Sequence, residues 1–525
     1  MLKKLGSIIL IMISIFTFSG CNNNSTNLKG NENKEGDISN DKIIVLPYNE
    51  DVSSINPAFM QEDKVGLVGN ILYDPLYSYG GEVRTYLANS VEFKDNKELI
   101  IKLRDGLKWH DGIPITSEDI KYTFDVILDE SQESPLRKFM IIGDKPIETE
   151  VIDNLTIKIK LPEERADFLH NISRIVPIPK HIYEGESNIT SSSKNNSPIG
   201  SGPFKFKQWV KGKNLILEKY DDYYGGTPKV DLIEIRNYQD IKAQEKALVE
   251  EDLTFLIGGP DIKNNYINDA EFKVYPFSQG NVNCIVFNEN VDAMKNIYVR
   301  KALSYGLNRE DMIKAIYGDD DAVEEATSIF TPETDYYTEE NVEEYNYDKE
   351  KFAEYMKRAN IELQNIIIGY NIEELTHKLY AEKTKEQLED LGISVTVSGY
   401  KSDEFFNLIS SDSSECDLYV SSYKFGINPD NYKSFFMAKS FNNQSKYENV
   451  NIDKLWDEAY KEVNNENRKK LYSKIQTMIM EEAPIYLIDY GRSYIIAKKS
   501  LNGVENARPT AVTIFEDWSR LSIKD

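Results

Sequence analysis

LRDGLKWHDGIPITSEDIKYTFD, running from Leu103 to Asp125, is the stretch that decides how this 525-residue chain is read. Thr116 can N-cap the helix SEDIKYTFDVILD, whose first turn carries acids where the helix dipole favours them. Upstream, YLANSVEFKDNKELIIKLRDGLKWHDGIPI alternates apolar and polar residues around the polar turn FKDNKE, the pattern of two antiparallel strands. Earlier still, KIIVLPYNEDVSSINPAFM reads as a strand entering a turn at Asn56 and Pro57. The segment VGLVGNILYDPLYSY after it has helical spacing of its apolar residues.

Working outward, VPIPKHIYE and SPIGSGPFKFKQWVKGKNLILEKYDDYYGGTPKVDLIEIR follow, with Gly200, Gly202 and Pro203 marking a turn that re-enters a strand. In VNCIVFNENVDAMKNIYVRKALSYGLNREDMIKAIYG, Asn308 is a good N-cap and Gly318 a good helix stop. Tyr345 to Asn360 has the pattern of an amphipathic helix. Together with QLEDLGISVTV, VNIDKLWDEAYKE and EEAPIYLIDY, these segments resemble, in register from Ile44 to Gly503, the extracellular solute-binding proteins of the oligopeptide, dipeptide and nickel type.

That resemblance implies an α/β periplasmic-binding-protein fold of the cluster C type: two α/β lobes joined by a hinge, with an extra subdomain inserted in the first lobe. Carried over by position, lobe I comprises residues 41–60, 198–279 and 485–525, the inserted subdomain residues 61–197, and lobe II residues 280–484. The chain passes between lobes near Ser278–Asn281 and Pro484–Leu487.

The first twenty residues have the layout of a secretion signal: basic Lys3 and Lys4, then SIILIMISIFTF, then Ser19, Gly20 and Cys21. The apolar run is short for a membrane span. The end of this leader resembles a bacterial lipobox, with Phe18 where leucine is usual, and implies a lipidated Cys21 at the mature N-terminus. Residues 21–40 have no apolar periodicity and read as a flexible tether.

A formal net charge of −25 argues against nucleic acid as a partner. Cleaving the leader removes two lysines and no acid, so the mature chain is more acidic still. Besides Cys21 there are only Cys284 and Cys416, too few for a disulfide framework and read as buried thiols. His110, His170, His181 and His377 show no pair at metal-ligand spacing, and Asp319, Asp320 and Asp321 lack the spacing of a calcium loop. No nucleophile elbow, zinc-protease or phosphate-loop string occurs. The expectation is a binding protein and not an enzyme, with no cofactor and no resident metal.

The resemblance places Met60, Gln61 and Glu62 at the mouth of the ligand cleft, and SSYKFGINPDNY on its wall. Tyr423, Lys424 and Phe425 occupy the part of that wall where peptide-binding relatives hold the ligand's ammonium with an aspartate. Here Tyr423 to Pro429 contains no acid. Dipeptide binders also use an arginine in the segment corresponding to IIIGYNIEE, where this chain has Tyr370 and no arginine between Arg358 and Arg468. Asn281 and Asn283, beside the first passage between lobes, complete the candidate ligand contacts.

The leading expectation is a monomeric, lipid-anchored, extracytoplasmic protein that captures a peptide and hands it to ABC permease subunits with their ATPases. It would touch the membrane through its anchor only, and Glu62 is the first choice for holding a peptide amino terminus. The alternatives are a non-peptide solute, anionic and facing Lys424 or a metal chelate such as nickel, and a sensory lipoprotein that does not transport.

Overall fold

The computed structural model describes residues 42–48, 55–60, 68–80, 82–318, 323–510 and 513–524. The expectations for residues 1–40, Cys21 included, and for Gln61, Glu62 and Asp319 to Asp321 lie outside the described residues.

The deciding stretch folds as its pattern dictates. Strands Ala88–Lys94 and Glu98–Leu103 pair antiparallel, and Asp95 and Asn96 take positive φ in the turn between them. With Thr156–Lys160 and Glu148–Asp153 they make a four-stranded sheet. Thr116 caps the helix Ser117–Leu128, and the Asp119 carboxylate accepts the Thr116 N–H at 2.8 Å to close a capping box. Leu99, Ile101, Trp109, Phe124 and Ile157 are buried together here.

His110 ties this sheet to the glycine turn ninety residues later. Its Nδ1 accepts the Gly200 N–H at 3.1 Å, and its Nε2 lies 3.0 Å from the Gly202 carbonyl. Burial pushes the imidazole down to about 4, so the ring is neutral, and these two bonds fix Nε2 as the protonated nitrogen. The Leu72 carbonyl binds the same turn, accepting from Ser201 N–H at 3.1 Å and Gly202 N–H at 3.0 Å.

That contact ends at Leu72 the helix expected over residues 65–79. Among the described residues there, only Asn70–Leu72 is α-helical, and Tyr77–Tyr79 is a strand. The Leu72 carbonyl is committed outside its own segment, and Pro75 disfavours helical backbone at Asp74.

A second four-stranded sheet runs Ile43–Tyr48, Leu232–Asn237, Asn214–Lys219, Phe204–Val210, its first pair parallel and the others antiparallel. Among the described residues the largest sheet has seven strands, built on Phe272–Phe287 and Ile485–Lys498 paired antiparallel along most of their length. Leu418–Lys424 pairs with the inner end of the first of these, and Asn365–Asn371 and Ser394–Tyr400 lie beyond it.

The two long strands each belong to two cores. Phe277, Ile495 and Ala497 pack with Ile44, Phe204 and Trp518, whereas Val282, Ile285 and Ile488 pack with Ile368, Tyr419, Trp456 and Ile475. Their ladder slips register between Ser278 and Asn281, opposite Arg492 and Gly491. Beyond the slip the two faces of the ladder divide between the cores: Val274, Tyr494 and Ile496 stay with the larger core, and Phe277, Ile495 and Ala497 go with that of Ile44. Pro484–Leu487, the return passage expected by position, sits within the ladder of the larger core, where Ile485 and Leu487 are buried. No helix among the described residues is long and apolar enough to cross a membrane.

Candidate ligand cleft at the strand crossing

In an antiparallel ladder, Cα partners project from the same face, so register assembles the site directly. Asn281 pairs with Lys424 on one side and Gly491 on the other, and Asn283 pairs with Ser422 and Asp489. One face at the crossing thus carries Lys424, Asn281, Ser422, Asn283 and Asp489. Tyr423 and Phe425 belong to the opposite face.

Lys424 is exposed, yet the protein around it draws its ammonium below the ordinary lysine range, with desolvation the only cause. No carboxylate lies within ion-pair distance of it among the described residues, in a chain with 87 acids and 62 lysines and arginines. Its neighbour Asn281 is half-buried, close against Gly491, where an added Cβ would stand 3.2 Å from the Asn281 Cβ.

Deeper on this face, Asn283 donates from Nδ2 to Asp489 at 2.9 Å, and Tyr380 and Tyr317 donate to the same carboxylate. Asp489 is fully buried, and that burial raises its carboxyl to about 6 against the lowering effect of its three donors. Asn283 is therefore a member of a buried polar network and holds the floor rather than the open wall. His377 lies beside it, 8% exposed, with Nε2 3.4 Å from the Ser422 hydroxyl and Nδ1 without a partner. Burial pushes its ring down to about 4.

The opposite face is aromatic. Tyr423 is buried, donates its hydroxyl to the Ile329 carbonyl at 2.8 Å, and packs on Phe425 and Phe435 with ring centroids 5.5 and 4.7 Å away. Tyr432 and Phe436 close the cluster. Of the three consecutive candidates, Tyr423 is an internal anchor, Phe425 is half-buried, and Lys424 alone is exposed.

Two other candidates stand apart. Met60 is 3% exposed in the core with Ile55, Val68 and Ile71, so its side chain packs rather than lining the mouth. Tyr370 leans away from Lys424: its hydroxyl would lie 2.8 Å from a Cβ at Gly399, on the strand farther from the crossing. Ser422, His377 and Asp489 were not singled out by sequence pattern. Ser422 could have been found from its alternation with Lys424, but Asp489 sits in an apolar run, IYLIDY, with nothing to distinguish it.

A crevice of about 310 Å³ opens where the core of Phe124 meets that of Trp456, lined by Arg165, Asp167, Asn428, Asp430 and Tyr460 among others. Arg165 lies over the Tyr460 ring at 4.6 Å, and Asn96 donates to the Val463 carbonyl at 3.1 Å. A cavity of about 430 Å³ lined by Lys229, Asn506, Arg508 and Arg520 shares no residue with the strand crossing, and its arginines are paired with Glu516 and Asp517. Among the described residues, no group of three or more histidine, cysteine or acidic side chains is arranged to hold a metal ion. Cys284 and Cys416 are buried free thiols.

Known proteins share this architecture. The crystal structure of AppA from Clostridium difficile superposes with a TM-score of 0.80 at 42% identity, covering 92% of this chain and all of that one. The oligopeptide-binding protein AppA of Bacillus subtilis is 23% identical, with 97% of each chain covered. A Brucella ovis protein named as a candidate ABC transporter peptide-binding protein is 29% identical over 294 residues, and there the match spans about half of the relative's length, 54%. The sequence model of bacterial extracellular solute-binding proteins, family 5, matches residues 82–446. The chain belongs to that family of bacterial extracellular solute-binding proteins, which serve transport and are not enzymes.

Proposed function

We propose that this chain is the solute-capturing subunit of an ABC importer, held outside the membrane by a lipid on Cys21, and that it encloses a peptide between two lobes and presents it to the permease. Family membership and the peptide-binding names of its relatives support the reading. In the same reading, the core containing Ile44 and Phe204 belongs to lobe I, the core containing Trp456 spans lobe II and the part of lobe I around Leu248, Ile262 and Ile496, and the core containing Phe124 is the inserted subdomain. Rotation about Ser278–Asn281 and Gly491–Arg492 would open and close the lobes, since few residues need change conformation where a ladder already slips.

The observation that carries the choice of site is Lys424, an exposed cation without an acidic partner beside the strand crossing. It suits an anionic group of the solute: a peptide's carboxylate, or the charge of a non-peptide anion. The test is uptake. Deleting this chain from its host should reduce accumulation of a labelled oligopeptide by about tenfold or more, a large share of the binding protein's contribution to flux. Restoring the full chain should recover it, while Cys21→Ser should shift the protein from membrane to medium. Unchanged peptide uptake on deletion would remove the peptide from the reading.

A further inference from the structure

In a chain of net charge −25, a concavity walled by cations is an exception, and the body that holds Ile44 and Phe204 carries one away from the strand crossing. The cavity of about 430 Å³ is lined by Lys229, Asn506, Arg508 and Arg520: three cations, one amide and no acid.

Backbone pairing builds its wall. The Glu516 N–H donates to the Arg508 carbonyl at 3.2 Å and the Asp517 N–H to the Ala507 carbonyl at 3.1 Å, which lays the two segments side by side. Gly503 lets the next turn close in, since a Cβ there would collide with the Arg520 carbonyl oxygen. Arg508 itself takes a φ of 53°, the left-handed region that a residue with a side chain enters at a cost.

The ion pairs leave the positive half of each pair outward. Glu516 accepts the Arg508 Nε–H at 2.8 Å and is shared with Arg84, while Asp517 accepts the Arg520 Nε–H at 3.0 Å. Each acid takes only Nε from these two residues, so the Nη groups of Arg508 and Arg520 are not spent on it. The two carboxylate side chains are 17% and 18% exposed, and the Arg508 and Arg520 side chains 41% and 57%. Lys229 forms no ion pair among the described residues. Forked N–H donors and an ammonium around one concavity suit a tetrahedral oxyanion.

The cavity also lies beside the point where the tether joins the fold. Lys42, the first described residue, donates its N–H to the Asp231 carboxylate at 2.9 Å and accepts the Asp231 N–H at 2.8 Å, and Lys229 is two residues from Asp231. Twenty residues separate Cys21 from Lys42, a span of at most about 70 Å when extended. A lipid on Cys21 would keep this cavity within reach of a membrane surface.

We infer that the cavity is a phosphate-binding site, in which Lys229, Arg508 and Arg520 hold the phosphate oxygens and the Asn506 amide supplies a further donor. The site is separate from solute capture. Two sources share the chemistry, the headgroup of an anionic phospholipid and a soluble phosphate ester, and only the first rests on the lipid anchor proposed for Cys21.

The test uses the full-length chain purified in detergent, as wild type, Lys229→Gln, Lys229→Gln with Arg520→Gln, and Lys424→Met. Each is titrated calorimetrically with inorganic phosphate and with glycerol 3-phosphate. Each is then placed in vesicles of digalactosyldiacylglycerol, a lipid without phosphate, with and without phosphatidylglycerol, and amide hydrogen exchange is followed in residues 503–510 and 516–521. Wild type and Lys424→Met should bind phosphate alike, Lys229→Gln about tenfold more weakly, and the double variant without measurable heat. Protection of both segments by phosphatidylglycerol assigns the site to the headgroup. Protection by glycerol 3-phosphate, with none from phosphatidylglycerol, assigns it to a soluble ester. Lys229 has no ion pair to lose, so the ligand-free melting temperature of Lys229→Gln should not fall. Equal phosphate affinity in wild type and the double variant, or no heat and no protection with any probe, would overturn the site. Heat lost in Lys424→Met and kept in the double variant would move the anion to the strand crossing, overturning the cavity and leaving capture standing.

Discussion

Replacing Gly200 by alanine is the sharpest perturbation the geometry offers. A Cβ at that position would stand 1.9 Å from the Leu72 carbonyl oxygen and 2.9 Å from the His110 Cε1. The oxygen is backbone and already accepts the Ser201 and Gly202 N–H groups, so restoring ordinary contact means moving a main-chain segment by about 1.5 Å. Overpacking of that kind costs roughly 1–3 kcal/mol. Loss or stretching of the two hydrogen bonds to Leu72 adds about 1 kcal/mol each. A total of about 3–5 kcal/mol is a large fraction of the roughly 5–15 kcal/mol that holds a typical domain folded. At about 2–4 °C per kcal/mol for a body of this size, Gly200→Ala should melt about 10 °C below wild type by circular dichroism. Adding His110→Ala should not restore it, because the obstacle is the Leu72 carbonyl and not the imidazole. Melting within about 2 °C of wild type would refute the reasoning, and rescue by His110→Ala would move the clash to the ring.

Lys424→Met should weaken binding of an anionic solute about tenfold or more, the worth of one charge-assisted hydrogen bond, without lowering the ligand-free melting temperature; isothermal titration that shows equal affinity would take Lys424 out of the site. Tyr423→Phe deletes the hydrogen bond to the Ile329 carbonyl and keeps the ring packing, so stability should fall by about 1 kcal/mol, read from a urea midpoint, and a loss of several kcal/mol would contradict the internal role given to that hydroxyl. Asp74, buried and bonded by the Tyr223 hydroxyl at 2.8 Å, has its carboxyl raised by burial to about 7. A raised acid keeps its proton in the folded state after the unfolded chain has lost it, so its contribution declines as pH rises from about 4 to 7. Asp74→Asn should therefore flatten the pH profile of stability in that window and stabilise the protein at pH 8, and an unchanged slope would contradict the assignment.

Local patterns were legible wherever neighbouring residues settle the backbone. Thr116 and Asp119 cap their helix three residues apart, and Asn308 caps the helix Arg309–Tyr317 by accepting the Asp311 N–H at 3.2 Å. The helix expected over residues 65–79 stops at Leu72 because that carbonyl is claimed by Ser201 and Gly202, and no local pattern announces a partner so far along the chain. Lys424 was legible as a departure from the family's charge, and Tyr423 was read as its equal because adjacency in sequence hides the alternation of strand faces. Asn283 and Asp489 likewise became a pair only when strands ending two hundred residues apart were laid in register.

The claim that this is a solute trap of the peptide-binding kind is tested most directly by asking what the protein holds. Mass spectrometry of the solutes released by denaturant from the full-length chain, purified from its own host, should find short peptides in near-stoichiometric amount, lost when excess unlabelled peptide is washed through. A single non-peptide solute in their place, or no solute together with no peptide-induced rise in melting temperature, would contradict it.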